Sequence, residues 1–190
     1  YLSTTGVYGD HGGGTVSEET PLTPNTDRGH RRLLAETQWL DLWRAHALPV
    51  HIFRLAGIYG EGRNQLLSLL DGTAKRVIKP GQLFSRIHAE DIANVVEASI
   101  ARPHPGRAYN VCDDEAAPPQ DVVEYGARLL GLPVPPDVPF DEAQLSPMAR
   151  SFYADSKRVS NARIKHELGV RLAYPTYREG LAALAEKLRR

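Results

Sequence analysis

Short apolar runs alternate with segments of helical periodicity along most of the chain. The runs cover residues 1–5, 49–60 and 107–113 and consist mainly of apolar and small residues, as in buried strands. A polar loop rich in glycine occupies 9–27. Strands that alternate with helices favour an α/β fold, in which helices cover both faces of a parallel sheet.

Two helical segments show clear apolar periodicity. The first spans 28–46, can be capped by Thr26 or Asp27, and has apolar residues at helical spacing: Leu33, Leu34, Leu40 and Trp43. The second spans 89–102, and its predicted apolar face carries Ile92, Val95, Val96 and Ile100. Other segments are assigned as helices at 63–72, 118–131, 156–169 and 177–190, extended chain around a Pro80-Gly81 turn at 75–88, and a proline-rich surface connection at 133–140.

The composition excludes several classes of protein. Lys+Arg and Asp+Glu both number 23, so the balanced charge gives no sign of a nucleic-acid or membrane surface. Cys112 is the one cysteine, which rules out an internal disulfide, and its apolar neighbours favour a buried thiol over a reactive one. No His, Asp and Glu spacing indicates a metal site, and we expect a cytoplasmic protein.

Several short motifs follow one another in a familiar order. They are STTGVYG after the first strand, DRGHRRLLAE at a helix start, FRLAGIYGEG on the next strand, then IHAEDIANVVEA, AYNVCDD and ELGVRLAYPTYREGL. Together they resemble the extended short-chain dehydrogenase/reductase superfamily, the NAD-dependent epimerase/dehydratase group. The resemblance covers almost the whole chain but only the C-terminal two thirds of the family's length.

The resemblance implies the C-terminal part of a doubly wound, Rossmann-type parallel sheet plus a small substrate lobe. We treat 1–190 as one domain, with the lobe mainly at 60–88 and 115–175. The family's glycine-rich turn after its first strand is absent, so we expect the first strands to precede Tyr1. A chain of only these three strands would have an open edge, and we expect it alone to be poorly soluble or partly unfolded.

The family binds NAD or NADP beside a Ser or Thr and a Tyr and Lys four residues apart. The matching positions here are Thr4, Arg28 and Arg32, so both members of the Tyr and Lys pair are replaced. Arg32 keeps the positive charge and is assigned to the cofactor with Thr4, Leu55 and Ala56. Arg28 cannot exchange a proton near neutral pH, because a guanidinium does not titrate there.

Another group must therefore supply the proton. Tyr8, Tyr59 and His88 are the candidates, in falling order of preference, and Thr4 would orient the reacting oxygen. For Tyr59 and His88 a packed position in the core is the stronger alternative. Arg54 is expected to form a structural ion pair.

The substrate positions also depart from the family. Gly57 and Phe84 replace an Asn and an Arg that usually contact a nucleotide-sugar, which argues against such a substrate. The basic run that begins at Arg28, together with Arg86, Arg150 and Tyr153, suggests a small polar or anionic substrate instead.

Two hypotheses remain open. The first is an atypical NAD(P)-dependent oxidoreductase or epimerase/dehydratase-like enzyme with a small-molecule substrate. The second is a non-catalytic NAD(P)-binding sensor or assembly module, which the loss of the Tyr and Lys pair favours. A homodimer through the helix that starts near Arg28 follows only from the resemblance.

Overall fold

The central element of the fold is a small parallel sheet. The computed structural model describes residues 1–189. Its sheet contains β1 (Leu2–Thr4), β3 (Ile52–Leu55) and β7 (Ala108–Val111), in the order β1-β3-β7. All pairs are parallel, and β1 forms one edge. This confirms the α/β class and the three core strands expected from the sequence.

The two faces of this sheet differ in chemistry because side chains alternate along each strand. One face packs Phe53, Leu55, Tyr109 and Val111 into the main apolar cluster. The opposite face carries the polar residues Ser3, Arg54 and Asn110, which lie side by side in the register.

Residues 1–189 contain seven α-helices. They are α1 (Asp27–His46), α2 (Gln65–Leu70), α3 (Ala89–Ala101), α4 (Pro119–Leu130), α5 (Pro147–Phe152), α6 (Ala162–Leu168) and α7 (Tyr177–Leu188). Thr26 caps α1 as predicted, its side chain accepting a hydrogen bond from the Gly29 N–H at 3.1 Å. Residue 190, the last of the predicted final helix, lies outside the described residues. No helix of the described part is long and apolar enough to cross a bilayer.

Three two-stranded parallel ribbons complete the structure. They pair β2 (Thr15–Val16) with β9 (Arg158–Val159), β4 (Gly57–Tyr59) with β6 (Arg86–His88), and β5 (Arg76–Ile78) with β8 (Asp137–Pro139). The prediction was wrong for β2 and β8, which lie in segments assigned as loop and connection. It was also wrong for the start of the helix at 156–169, because β9 precedes α6 there.

Some predicted apolar faces are not buried. Ile100 on α3 is 74% exposed, since the buried side of this helix runs through Asp91, Val95 and Ser99. Leu34 on α1 is also exposed. Helical spacing alone predicted that Ile100 and Leu34 would be buried. The prediction was wrong because polar residues occupy part of the buried face of each helix.

A buried polar network joins α1 to all three strands of the sheet. Glu36 accepts two hydrogen bonds from Arg54, from Nε at 3.1 Å and from Nη2 at 2.8 Å, to the same carboxylate oxygen. Ser3 donates to the other oxygen of Glu36. Arg54 also donates to the Tyr8 hydroxyl at 2.9 Å, and Tyr8 donates to Asn110 Oδ1 at 2.7 Å. This confirms the structural ion pair expected for Arg54.

Removing one partner of this pair should be strongly destabilising. Glu36→Ala leaves the Arg54 charge buried and unpaired, so we expect a loss of about 3–5 kcal/mol in the free energy of unfolding. Asp41→Ala is the matched control, because it breaks an ion pair with Arg44 whose side chains are 58% and 60% exposed. That control should change stability by less than about 1 kcal/mol. Urea unfolding of both variants is the measurement, and equal losses would contradict the prediction.

Candidate functional site

The carboxyl ends of the strands meet at one edge of the sheet. Beyond Thr4 and Leu55, the Ala56 N–H donates to the Val111 carbonyl at 3.1 Å. One residue further along, the Gly57 N–H donates to the Ser85 carbonyl at 3.0 Å and so places β4 and β6 above this edge. Ligands of open α/β sheets bind at this end of the strands. The edge is therefore the candidate site.

Thr4 presents a hydroxyl at the end of β1. Its Oγ1 accepts a hydrogen bond from the Gly6 N–H at 3.1 Å and caps the 3₁₀ turn Thr5–Tyr8. The residue is partly exposed. Within residues 1–189 its hydroxyl donates to no acceptor, so the proton is available to a bound oxygen.

Tyr8 does not present its hydroxyl to this edge. The residue is fully buried, and its hydroxyl is held by Arg54 and Asn110. Burial is the largest influence on its pKa and raises it, against the opposing effect of Arg54. The prediction that Tyr8 supplies the proton is not supported by this placement.

Tyr59 and His88 lie together in the core. Their ring centroids are 5.2 Å apart, and the Tyr59 hydroxyl lies 3.5 Å from the Thr176 carbonyl. Burial, followed by the charge of Asp113, raises the pKa of Tyr59. Burial lowers the pKa of His88, whose Nδ1 accepts from the Glu90 N–H at 3.3 Å. Their positions fit the packing alternative rather than proton donation at the cleft.

Arg28 and Arg32 follow each other by one turn at the start of α1. Arg32 donates to the Leu2 carbonyl and lies with its Cζ 5.1 Å from the centre of the Tyr1 ring, while its Nε is enclosed without a hydrogen-bond partner among residues 1–189. Arg28 is exposed, with its Cζ 5.5 Å from the centre of the Phe152 ring on α5. Arg32 therefore lies beside the start of β1, whereas Arg28 lies against α5.

Leu55 and Ala56 contribute no side chain to the cleft. Leu55 packs into the main apolar cluster, and Ala56 packs with Val7 and Cys112. Only their backbone atoms can contact a ligand. Cys112 is fully buried and donates from its thiol to the Val159 carbonyl at 3.1 Å, as the prediction of a packed thiol requires.

Arg86 and Tyr153 do lie near one another. Arg86 is partly exposed at the start of β6, with its Cζ 5.9 Å from the centres of the Phe84 and Tyr177 rings. Tyr153 packs edge-on against Phe84 at 5.3 Å. Burial raises the pKa of Tyr153, and the Arg86 charge opposes that shift. Of the predicted substrate residues, these two share one place in the structure.

Arg150 lies elsewhere. Its guanidinium donates to the Ala143 carbonyl at 3.2 Å and lies 4.7 Å from the centre of the Phe140 ring. These contacts stabilise the apolar cluster of Val77, Ala143 and Tyr153. Arg150 therefore holds the surrounding segment together rather than facing Arg86.

Sequence reasoning missed Asp113, which follows β7 at the same edge. It is 3% exposed, its backbone N–H donates to the Arg86 carbonyl at 2.7 Å, and its Oδ2 is enclosed without a partner among residues 1–189. Burial raises the pKa of Asp113 to about 8, despite the opposing charge of Arg86. Only its position directly after a core strand could have suggested a role.

Sequence reasoning also missed Lys157, which contacts the start of the glycine-rich loop at 9–27. Its buried ammonium donates to the Gly9 carbonyl at 2.7 Å and to Asp155 at 2.9 Å. Gly9 has φ +72, and a Cβ there would lie 2.0 Å from the Thr23 carbonyl oxygen, so only glycine fits. The adjoining surface cleft of ≈ 320 Å³ is lined in part by Gly12, Gly13, Lys79, Gln82, Gln120 and Arg158.

The edge thus offers a hydroxyl donor and an arginine beside a buried carboxyl, while Arg32 lies nearer the start of β1 and Arg28 lies on the exposed first turn of α1. This set can orient an oxygen and balance negative charge. No group of three or more His, Cys, Asp or Glu side chains suited to a metal ion occurs in the described part of the chain.

Comparison with known proteins gives a family and one curated relative. The model of the NAD dependent epimerase/dehydratase family matches residues 1–112. A 3-diazoavenalumate denitrifying reductase from Streptomyces sp is 28% identical over an alignment of 144 residues, and the match covers 68% of this chain and 45% of that protein. The chain therefore spans less than half the length of this relative.

Solved structures agree with the fold. A functionally unknown conserved protein from Silicibacter pomeroyi DSS is 60% identical with a TM-score of 0.93, and the match covers 100% of this chain and 66% of that one. A dTDP-glucose 4,6-dehydratase from Bacillus anthracis str. Ames, in complex with NAD, has a TM-score of 0.79 at 22% identity, covering 99% of this chain and 60% of that one. The second likeness shows the Rossmann-type fold alone.

The raised pKa of Asp113 should make stability depend on pH. The folded state keeps a proton on Asp113 up to about pH 8, whereas the unfolded state releases it near 3.8. Stability should therefore fall as pH rises between these values, by about 1.4 kcal/mol per pH unit. Asp113→Asn should remove this part of the slope in urea unfolding, and the neighbouring Asp114→Asn should not. Parallel slopes for the wild type and Asp113→Asn would contradict the assignment.

Proposed function

Because this chain belongs to the NAD-dependent epimerase/dehydratase family, we propose that it functions as an NAD- or NADP-dependent oxidoreductase or epimerase/dehydratase-like enzyme. Its substrate is a small polar or anionic molecule. The Streptomyces relative is a reductase and the Bacillus anthracis dehydratase binds NAD, and both likenesses support a redox reaction with a nicotinamide.

The hydroxyl of Thr4 carries the proposal. It lies at the carboxyl end of β1 and accepts a hydrogen bond from the Gly6 N–H. Its own proton is therefore free to be donated to a substrate oxygen. A positioned donor of this kind stabilises charge that develops on oxygen during carbonyl reduction or hydroxyl oxidation. Thr4 would thus orient the reacting oxygen without itself giving up a proton.

The residues present fit the nicotinamide side of such a cofactor. Arg32 has an enclosed Nε without a partner among residues 1–189, which a ribose or phosphate oxygen could satisfy. Arg32 and Thr4 would hold the cofactor by side chains, and Leu55 and Ala56 by backbone atoms. When bound, the nicotinamide supplies or accepts the hydride.

Proton delivery would differ from the usual pattern of the family. Arg28 stands at the usual Tyr position and stays charged, so it can stabilise an anionic oxygen but cannot donate a proton. Tyr8, Tyr59 and His88 are engaged in the core. We therefore assign the proton to solvent that reaches the partly exposed Thr4.

A non-catalytic NAD(P)-binding sensor or assembly module is the second candidate. The observation that favours it is the contact of Arg32 with the Leu2 carbonyl and the Tyr1 ring. Arg32 stands where the family has its catalytic Lys, so at this position the side chain contributes to structure instead. In this case the site would bind a nicotinamide without turnover. Homodimer formation through α1 stays a prediction.

Substitution of Thr4 separates the two candidates. If the protein is an enzyme, Thr4→Val should lower turnover by about 100-fold, because one donor to the developing charge is lost. Thr4→Ser should keep most of the activity, and Thr5→Val is the neighbouring control. The measurement is loss of reduced cofactor absorbance across a panel of small carbonyl acids, with cofactor binding followed by calorimetry. Cofactor binding without turnover supports the module, and absence of binding to NADH and NADPH contradicts both candidates.

A further inference from the structure

Arg86 is a partly exposed cation that forms no ion pair within residues 1–189. Its Nη1 donates to the Phe84 and Ala117 carbonyls at 2.8 and 3.2 Å, and within residues 1–189 its Nε and Nη2 make no hydrogen bond. The ion pairs of the described part all involve other cations. A guanidinium with two unpaired nitrogens and little surrounding solvent is suited to hold a counter-ion.

The enclosed polar atoms around Arg86 point to the same conclusion. Asp113 Oδ2 and the Tyr177 hydroxyl are both enclosed, and neither has a partner among residues 1–189. Asp113 and Tyr177 both act electrostatically on Arg86. Unpaired polar atoms are rare in protein interiors, so their concentration around one guanidinium indicates a position where a further polar group binds.

We propose that Arg86 binds a small oxyanion, either a carboxylate or a phosphate or sulfate ester, and that it binds this anion while Asp113 is protonated. The free Nε and Nη2 of Arg86 present the fork of donors that suits two oxygens of such a group. The inference rests on the proposed function only in identifying this anion with the charged group of the substrate.

The proton linkage follows from charge balance. A protonated Asp113 leaves the positive charge of Arg86 for the ligand. An ionised Asp113 supplies an internal counter-charge and repels the incoming anion. Affinity for the anion should therefore fall as pH rises through the titration of Asp113, whose pKa lies at about 8.

Other groups that face Asp113 do not reproduce this dependence. Tyr59 from β4 and Tyr177 from α7 have pKa values raised by burial, so both stay neutral across the range. Asp114 in the same loop is already paired with Lys165 from α6. His88 on β6 has a lowered pKa and is neutral as well.

The test uses acetate and methyl sulfate as probes on the protein without cofactor. Both carry one negative charge throughout, and saturation-transfer NMR on their methyl protons gives the dissociation constant. At about pH 6.5 we expect binding, and at about pH 9.5 we expect it to be weaker by about tenfold. The probe that binds more tightly identifies the anion as a carboxylate or as an ester of the phosphate type.

Variants assign the effect to named residues. Arg86→Gln should abolish binding, whereas the exposed Arg63→Gln should not. Asp113→Asn should bind equally at both pH values, and Asp114→Asn should keep the wild-type dependence. Asp113→Asn retains the Arg86 charge, so it tests the linkage even if Arg86→Gln fails to fold.

Three outcomes would overturn the inference: no binding of either probe, wild-type binding by Arg86→Gln, or an unchanged pH dependence in Asp113→Asn. Because no cofactor is present, a failure of the Thr4 prediction leaves this result intact. Absence of anion binding would likewise not decide whether the protein binds a nicotinamide, which the Thr4 experiment tests separately.

Discussion

The ion pair between Glu36 and Arg54 holds this structure together more than any other polar contact. Both side chains are almost fully buried, at 2% and 6% exposed. Through Ser3 the pair reaches β1, and through Tyr8 and Asn110 it reaches β7. A buried pair of this kind need not add net stability over apolar packing, but breaking it is severe, so it fixes how α1 lies against the sheet.

This network also determines which polar residues remain for chemistry. It uses the hydroxyl of Tyr8 and leaves that of Thr4, four residues earlier on the same segment, directed at the edge of the sheet. Because α1 is anchored at Glu36, the helix turns that carry Arg28 and Arg32 are held beside β1. Groups that hold the structure together, such as Tyr8 and Glu36, therefore lie only a few residues from candidate functional groups such as Thr4 and Arg32.

Residue patterns in the sequence were sufficient for the parts of the fold that depend on local chemistry. The Thr26 cap, the ends of α2 and α4, and the pairing role of Arg54 all follow from residue type and position. The two-residue strands β2 and β9 could not be predicted, since so short a segment becomes a strand only through its partner.

The site was harder to predict because burial is a tertiary property. Tyr8 and Tyr59 have side chains suited to catalysis or binding, yet both are engaged by groups distant in sequence. Arg150 is engaged by the Ala143 carbonyl, seven residues earlier. Asp113 looked unremarkable beside Asp114, and only the enclosure of its carboxyl by β6 and α7 distinguishes the two. Arg86 and Tyr153 were anticipated as residues, but not the absence of a carboxylate partner for Arg86 within residues 1–189.

The proposed roles of Thr4 and Arg86 both require that a nicotinamide and an anionic group meet at the carboxyl edge of the small parallel sheet. A crystal structure of the protein grown with reduced cofactor and acetate tests this requirement most directly. We expect density for the nicotinamide beside the Thr4 hydroxyl and for acetate on the free nitrogens of Arg86. A nicotinamide bound away from β1, or acetate absent from Arg86 in a well-ordered map, would contradict it.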